Sequence, residues 1–141
     1  MELDPVVAHF ESVADVYDEV LPFFSGFARE AVERIAPPAE TRALDLAAGR
    51  GAFTSELLSH GAKVVVVDAA PRMVELLNQD HPGVEAHVMD LTHPELRSDT
   101  FDLVTCGFAL HIVSDARAAF DEACRVLKPG LDRARSRRRL T

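Results

Sequence analysis

The chain has 141 residues, of which 48% are hydrophobic and 27% charged, with a net charge of −8 and two cysteines. This length indicates one domain, and the composition excludes a wholly disordered chain. The acidic balance disfavours a nucleic-acid-binding surface, and no apolar run is long enough to cross a membrane. Two cysteines are too few for a disulfide framework or a zinc cluster, so no metal site is expected. The chain starts with acidic residues where a signal peptide would be basic, so we expect a cytoplasmic protein.

Two helices are predicted before residue 40. Asp4 is a suitable N-cap with Pro5 at the first helical position, and apolar residues then recur at helical spacing until Pro22. A second apolar stripe runs from Phe24 to Ile35 and ends at two prolines. Both helices precede the alternating pattern that begins at residue 42.

From residue 42 onward, short apolar runs alternate with helical stripes. Strands are predicted at residues 43–46, 64–67, 84–89 and 101–106, and a last helix capped by Ser114 or Asp115 ends near Pro129. The second run consists of valines without polar alternation, which is typical of a strand buried on both faces of a parallel sheet. The pattern predicts an α/β fold: a doubly wound, Rossmann-like, mostly parallel sheet in the order 3-2-1-4, with helices on both faces.

The end of the chain differs from the rest in charge. Residues 131–141 hold five Arg and one Asp, a sum of +4, which leaves −12 on the first 130 residues. We expect one domain over residues 1–130, with a helical cover at 1–40 and an α/β core at 41–130. The stretch 131–141 is expected to be a disordered basic tail, with nucleic-acid or membrane binding as the weaker alternative.

The strongest chemical signal is the segment 44–53, where a strand, a turn of small residues and a helix follow one another. Small residues let a ligand approach the backbone, and the start of a helix offers free N–H groups. Asp68 follows the second strand, 23 residues after Asp45, where a doubly wound sheet binds ribose hydroxyls. Either feature alone is explained by a structural turn or a surface carboxylate. Together they predict a nucleotide-like ligand.

The same loop argues against a dinucleotide. Gly49 and Gly51 are followed by Ala52, Phe53 and Thr54, so the third glycine of the dinucleotide fingerprint is missing. A carboxylate just before the loop is unfavourable beside a pyrophosphate and suits a cationic group. The predicted ligand contains adenosine and carries a positive charge at one end.

These residues resemble motif I of the class I S-adenosylmethionine-dependent methyltransferases, in which a hydrophobic strand and an acidic residue precede a glycine-rich turn. The opening segment is similar to that of the small-molecule subgroup related to the ubiquinone and menaquinone methyltransferases. The resemblance covers residues 9 to 130, and its further matching segments follow in the family's order: 10–18, 67–74, 89–91, 101–104, 109–111 and 125–130.

The family normally continues through a fifth strand and an antiparallel hairpin, and here an Arg-rich stretch follows Gly130. We therefore expect a C-terminally truncated member that lacks the last strands. A change of reading frame is one explanation, and an unusual member is another. The loss would leave the fourth strand as an exposed edge, through which the chain could self-associate.

The resemblance implies a role for each matching residue. Asp45 and the backbone of Ala47, Gly49 and Gly51 would hold the methionine part of the cofactor. Asp68 would accept hydrogen bonds from both ribose hydroxyls.

Other matching positions would bind the adenine and border the methyl group. Met73, or Ala69 beside it, would pack on the adenine. Asp90 would accept from the adenine amino group, with the Leu91 backbone nearby, although Asp90 could instead cap the next segment. Phe108 would border the transferred methyl group.

Two further residues have an expected role and a structural alternative. Tyr17 could close over the cofactor or be a core residue. His111 could take a proton from a substrate hydroxyl, although a lone histidine after a strand is more often structural.

The implied function is methyl transfer from S-adenosylmethionine to a small-molecule O, N or C nucleophile. The alternatives are a truncated, non-catalytic S-adenosylmethionine-binding protein and an NAD-dependent reductase, the second of which shares the sheet and the ribose aspartate. No nucleic-acid or membrane partner is expected, and the sequence does not identify the methyl acceptor.

Overall fold

The computed structural model describes residues 4–17, 23–107 and 115–130. Strands and helices alternate after residue 41, as the sequence predicts. Phe108, His111 and the tail at 131–141 lie outside the described residues. The elements are α1 (Pro5–Val13), a 3₁₀ turn (Ala14–Val16), α2 (Phe23–Ile35), β1 (Arg42–Leu46), α3 (Ala52–Ser59), β2 (Lys63–Asp68), α4 (Pro71–Asp80), β3 (Glu85–Val88), β4 (Leu103–Thr105) and α5 (Ala116–Val126).

The four strands form one parallel sheet in the order β3-β2-β1-β4, which confirms the predicted topology. In this register Asp45 on β1 lies opposite Val66 on β2 and Thr105 on β4. The carboxyl ends of β1, β2 and β4 therefore meet at one edge of the sheet. Ligands of doubly wound folds bind at this edge, where the strand order reverses.

Apolar side chains fill both faces of the sheet. The last four residues of β1 are buried, as expected for a central strand covered on both sides. One face packs against α2, α3 and α4 through a cluster of Val32, Ala43, Leu57, Ala62, Val64, Val66 and Leu77. The other face packs against α5 and two loops through Leu44, Leu46, Val67, Leu91, Phe101, Ala119 and Val126.

The predicted caps of the first and last helices are present. The Asp4 carboxylate accepts the N–H of Val6 at 2.9 Å, with proline at the first helical position of α1. The Asp115 carboxylate accepts the N–H of Ala118 at 2.9 Å at the start of α5. Each cap satisfies a backbone donor that the helix itself leaves unpaired.

Several predicted boundaries are wrong by a few residues. The first helix was expected to continue to Pro22, but α1 ends at Val13, whose φ of −106° leaves the helical region, and a 3₁₀ turn follows. The fourth strand begins at Leu103, and Phe101 instead forms an isolated parallel bridge with Leu127 after α5. Such pairing depends on tertiary contacts that no local pattern reports.

Residues 4–17, called the N-terminal cover below, pack on α4. Ala14 is fully buried there and contacts Ala70, Met73 and Leu76 in a third apolar cluster. The helix α2 packs instead on α3. Among the helices of the described ranges, none has both the length and the apolar character that a membrane crossing requires.

Candidate cofactor-binding site

The loop between β1 and α3 has three residues in the left-handed region. Ala47, Gly49 and Gly51 have φ values of 55°, 57° and 87°. This conformation costs a side-chain-bearing residue roughly 1–2 kcal/mol, which Ala47 bears and the glycines avoid. A Cβ at Gly51 would lie 3.1 Å from Leu77 Cδ1, so a side chain there would also crowd α4. The loop thus brings main-chain atoms to the edge of the sheet at which β1 ends.

Asp68, at the end of β2, is hydrogen-bonded to this loop. Its Oδ2 accepts the N–H of Gly49 at 2.9 Å, and its Oδ1 accepts the N–H of Ala70 at 2.9 Å. Burial raises the pKa of the Asp68 carboxyl, and these backbone amides oppose the rise. An ionised carboxylate offers about four acceptor positions, so Asp68 keeps acceptor capacity for a ligand. The structure therefore places the expected ribose-binding carboxylate directly beside the loop.

Asp45, one position before the end of β1, is 1% exposed. Its Oδ2 accepts the hydroxyl of Thr54 on α3 at 2.7 Å, and its Oδ1 accepts the hydroxyl of Thr105 on β4 at 2.9 Å. Burial raises the pKa of Asp45 to about 6, against the lowering effect of the two hydroxyls. Asp45 thus joins β1, α3 and β4, and the expected contact with a ligand would have to share oxygens that already accept hydrogen bonds.

A crevice of about 50 Å³ lies over the loop. Three aromatic rings line it: Tyr17 stacks on Phe24 with centroids 5.6 Å apart, and Phe53 lies against Gly107. Ligand pockets usually hold roughly 300–1,000 Å³, so an adenosyl ligand enters only if some of these rings move. The residues lining the crevice are Tyr17, Phe24, Asp45, Ala47, Ala48, Gly49, Arg50, Ala52, Phe53 and Gly107.

The residues expected near the adenine are not all open to a ligand. Ala69 is partly exposed at the end of β2, whereas Met73 is 1% exposed and packs under the N-terminal cover. Leu91 is buried in the core on the α5 face. The Asp90 carboxylate accepts the N–H and the hydroxyl of Thr92 at 2.8 and 2.7 Å. Both of these bonds use Oδ1, so Asp90 caps this turn and its role at the adenine stays a prediction. Ala69 is more accessible than Met73, the other candidate for the adenine.

Cys106 lies near both acidic residues of the site. Burial, followed by the charges of Asp45 and Asp68, raises the pKa of its thiol to about 11. Cys106 is therefore protonated at neutral pH and is a poor nucleophile. The parts of the chain that the structure describes contain no group of three or more residues able to hold a metal ion.

Two residues at the site were not predicted from the sequence. Arg50, within the loop, donates from Nη1 to the carbonyl of Ala14 at 3.1 Å and from Nη2 to Asp80 at 3.2 Å. Glu11, in α1, accepts the N–H of Arg72 at the start of α4. The only sequence signal for the Glu11 contact is the alanine at the N-cap of α4. This alanine leaves the helix without a side-chain cap of its own.

The comparison with known families agrees with this geometry. The model of the methyltransferase domain family matches residues 44–130, which is more than half of the chain and includes β1, the loop and Asp68. The chain therefore belongs to the methyltransferase domain family. Its resemblance to class I S-adenosylmethionine-dependent methyltransferases related to the quinone methyltransferases is confirmed.

Individual relatives support the same assignment. The demethylmenaquinone methyltransferase of Clavibacter sepedonicus is 38% identical over 133 residues, which cover 89% of this chain and 54% of the relative. The S-adenosylmethionine-bound amino pentose methyltransferase CalS10 of Micromonospora echinaspora is 32% identical, with a TM-score of 0.67, over 76% of this chain and 48% of that one. The chain spans about half the length of the curated relatives it matches.

A third comparison shows the fold alone. A chain in the complex between the Haloferax volcanii Trm112 methyltransferase activator and its methyltransferase matches with a TM-score of 0.80 at 24% identity. The match covers 92% of this chain and 58% of that one. The arrangement of strands and helices described above is thus that of the family.

Proposed function

We propose that this chain binds S-adenosylmethionine at the loop of residues 47–51 and serves methyl transfer to a small-molecule O, N or C nucleophile. The observation that carries the proposal is the hydrogen bond from the Gly49 N–H to the Asp68 carboxylate. It joins a ribose-binding position to a stretch of backbone that a ligand can approach closely. Membership of the methyltransferase family supports the reaction class.

The residues present fit this cofactor, which supplies a methyl group already activated by a positively charged sulfur. The remaining acceptor capacity of the Asp68 carboxylate suits ribose hydroxyls, and each charge-assisted hydrogen bond contributes about 1.5–3 kcal/mol. Gly49 and Gly51 let the loop adopt left-handed backbone conformations, which bring its main chain to the end of β1, where the methionine part would bind. Asp45 and Asp68 both lie at this edge, and their negative charge favours a cation over a phosphate.

The main task of the protein in this reaction is alignment. Transfer from a sulfonium needs the nucleophile, the methyl carbon and the sulfur in line, which a rigid loop and a fixed ribose provide. A general base adds a further factor where the acceptor must lose a proton, and His111 remains our candidate for that base. Phe108 remains the candidate for the residue beside the methyl group.

The acceptor is proposed only as a class. The relatives reported above are named for a demethylmenaquinone and for an amino pentose acceptor, and both are small molecules. We infer a small-molecule acceptor for this chain and no nucleic-acid partner. The cytoplasmic location and self-association through the edge of β4 also stay predictions.

One observation disfavours the NAD-dependent alternative. Thr54 occupies the position of the third glycine of the dinucleotide fingerprint, is fully buried, and donates to Asp45. A pyrophosphate at the start of α3 would face this buried acid, whose charge would oppose its own.

The test combines binding with turnover. The chain is titrated by calorimetry with S-adenosylmethionine and with NAD, then incubated with methyl-labelled S-adenosylmethionine and a panel of quinol, phenol, amine and sugar acceptors. Binding of S-adenosylmethionine with label transfer to any acceptor supports the proposal. Binding without transfer favours the non-catalytic alternative, and preference for NAD contradicts the assignment of the site.

A further inference from the structure

The helix α4 receives its N-terminal cap from another helix. Its N-cap residue is Ala70, which has no side-chain acceptor, and its first residue is Pro71, which has no N–H. The first free donor of α4 is therefore the N–H of Arg72. Both carboxylate oxygens of Glu11, in α1, lie within hydrogen-bonding distance of this N–H, at 3.0 and 2.8 Å. Glu11 thus caps α4 as a serine or threonine at position 70 would.

The same arginine is bound a second time by the N-terminal cover. The Arg72 guanidinium donates from Nε and Nη2 to the two oxygens of Asp15, both at 2.8 Å. This hydrogen bond holds the pKa of Asp15 below its usual range. A third acid, Glu75, pairs with Arg72 at 2.8 Å from within α4 itself, so that pair does not join two segments.

The cover also reaches the cofactor loop. Arg50 donates to the carbonyl of Ala14 at 3.1 Å. Tyr17, at the end of the cover, lies so close that a Cβ at Gly49 would be 3.9 Å from its Cε1. The crevice holds only about 50 Å³, and Tyr17 of the cover is one of the rings that line it, so a shift of the cover would widen the crevice for a ligand of adenosyl size.

We propose that Glu11 is a positioning residue that caps α4 in place of Ala70 and thereby holds the N-terminal cover, with Tyr17, over the loop of residues 47–51. The position of Glu11 couples two events: when the cover lifts, the first turn of α4, directly after Asp68, loses its cap. The proposal rests on the proposed function only in naming the ligand, because the link itself belongs to the free chain.

The composition of the chain supplies a direct reporter. Tyr17 is its single tyrosine, and it has no tryptophan, so tyrosine fluorescence reports on the cover alone. In Glu11→Ala, acrylamide quenching of this fluorescence is expected to rise at least about twofold as the cover lifts more often. The melting temperature is expected to fall by roughly 3–5 °C from the loss of one helix cap. Glu75→Ala is the matched control, and its quenching should equal that of the unsubstituted chain.

A second substitution separates positioning from simple helix capping. Ala70→Ser gives α4 a cap of its own, so Glu11→Ala/Ala70→Ser should regain most of the melting temperature while its Tyr17 quenching stays high. If Glu11→Ala alone does not fold, the quenching of Tyr17 in the double variant still tests the proposal. Unchanged quenching in the single variant, or quenching restored along with stability in the double variant, would overturn the proposal. Neither measurement uses the cofactor, so failure of S-adenosylmethionine binding would be recognised separately.

Discussion

The ribose-binding role of Asp68 is tested by Asp68→Asn, which keeps the size of the side chain and removes its charge. In the structure the two oxygens of Asp68 accept the N–H groups of Gly49 and Ala70. Asparagine has one oxygen, so it can satisfy only one of these donors, and it leaves fewer acceptor positions for a ribose. The loop and the ligand therefore compete for the acceptor that remains.

The expected loss of affinity for S-adenosylmethionine follows from the hydrogen bonds that the substitution removes. One charge-assisted hydrogen bond contributes about 1.5–3 kcal/mol, and each 1.4 kcal/mol is about a tenfold change in affinity. We therefore expect Asp68→Asn to weaken S-adenosylmethionine binding by roughly ten- to a hundredfold. The partial burial of Asp68 supports this range, because water screens the interaction less than it would at an exposed site.

The assay is isothermal titration calorimetry, with circular dichroism to confirm that the variant folds. Asp102→Asn is the matched control: Asp102 also accepts a backbone N–H, that of Arg42 at 2.9 Å, and pairs with Lys128, but it lies at the amino end of β1, away from the loop of residues 47–51. The control should bind S-adenosylmethionine as the unsubstituted chain does. A folded Asp68→Asn with affinity within about twofold of the unsubstituted chain would refute the ribose assignment.

Three further predictions concern the loop and its surroundings. Gly51→Ala should destabilise the chain by about 1–2 kcal/mol in chemical denaturation because of its positive φ, whereas Gly26→Ala, in open space on α2, should stabilise it by about 0.5–1 kcal/mol. Gly107→Ala should displace the Phe53 ring, since the new Cβ would lie 2.5 Å from it, and lower the melting temperature; an unchanged value would contradict this contact. Burial raises the pKa of Asp45 from 3.8 to about 6, so the folded chain binds this proton more tightly than the unfolded chain, and Asp45 lowers stability as the pH rises through that interval. The unfolding free energy of the unsubstituted chain minus that of Asp45→Asn should therefore fall by roughly 2 kcal/mol between pH 4 and pH 7, and a flat difference would contradict the buried charge.

The topology could be predicted because its signals are local and repeated. The unbroken valines of β2 indicate a strand buried on both faces, and the alternation of strands with helices requires parallel crossovers. Boundaries were harder where partners are distant. Phe101 was expected in β4, but its backbone pairs with Leu127 beyond α5, and no pattern near Phe101 reports that pairing.

The residues of the candidate site also fall into those that the sequence could place and those that it could not. Asp68 and Gly49 could be placed together from the sequence because the ends of neighbouring parallel strands converge. Met73 is a different case, since its spacing on α4 does not reveal whether a ligand or the N-terminal cover packs against it. The cap from Glu11 was beyond prediction because donor and acceptor are 61 residues apart.

The central claim is that the Asp68 carboxylate and the loop of residues 47–51 bind S-adenosylmethionine. Backbone amide chemical shifts of the isotope-labelled chain, followed during titration with S-adenosylmethionine, test it most directly. The account predicts that the largest saturable changes occur at Gly49, Gly51, Ala69 and Ala70, around Asp68. Saturable changes centred elsewhere, or no change at millimolar ligand, would contradict it.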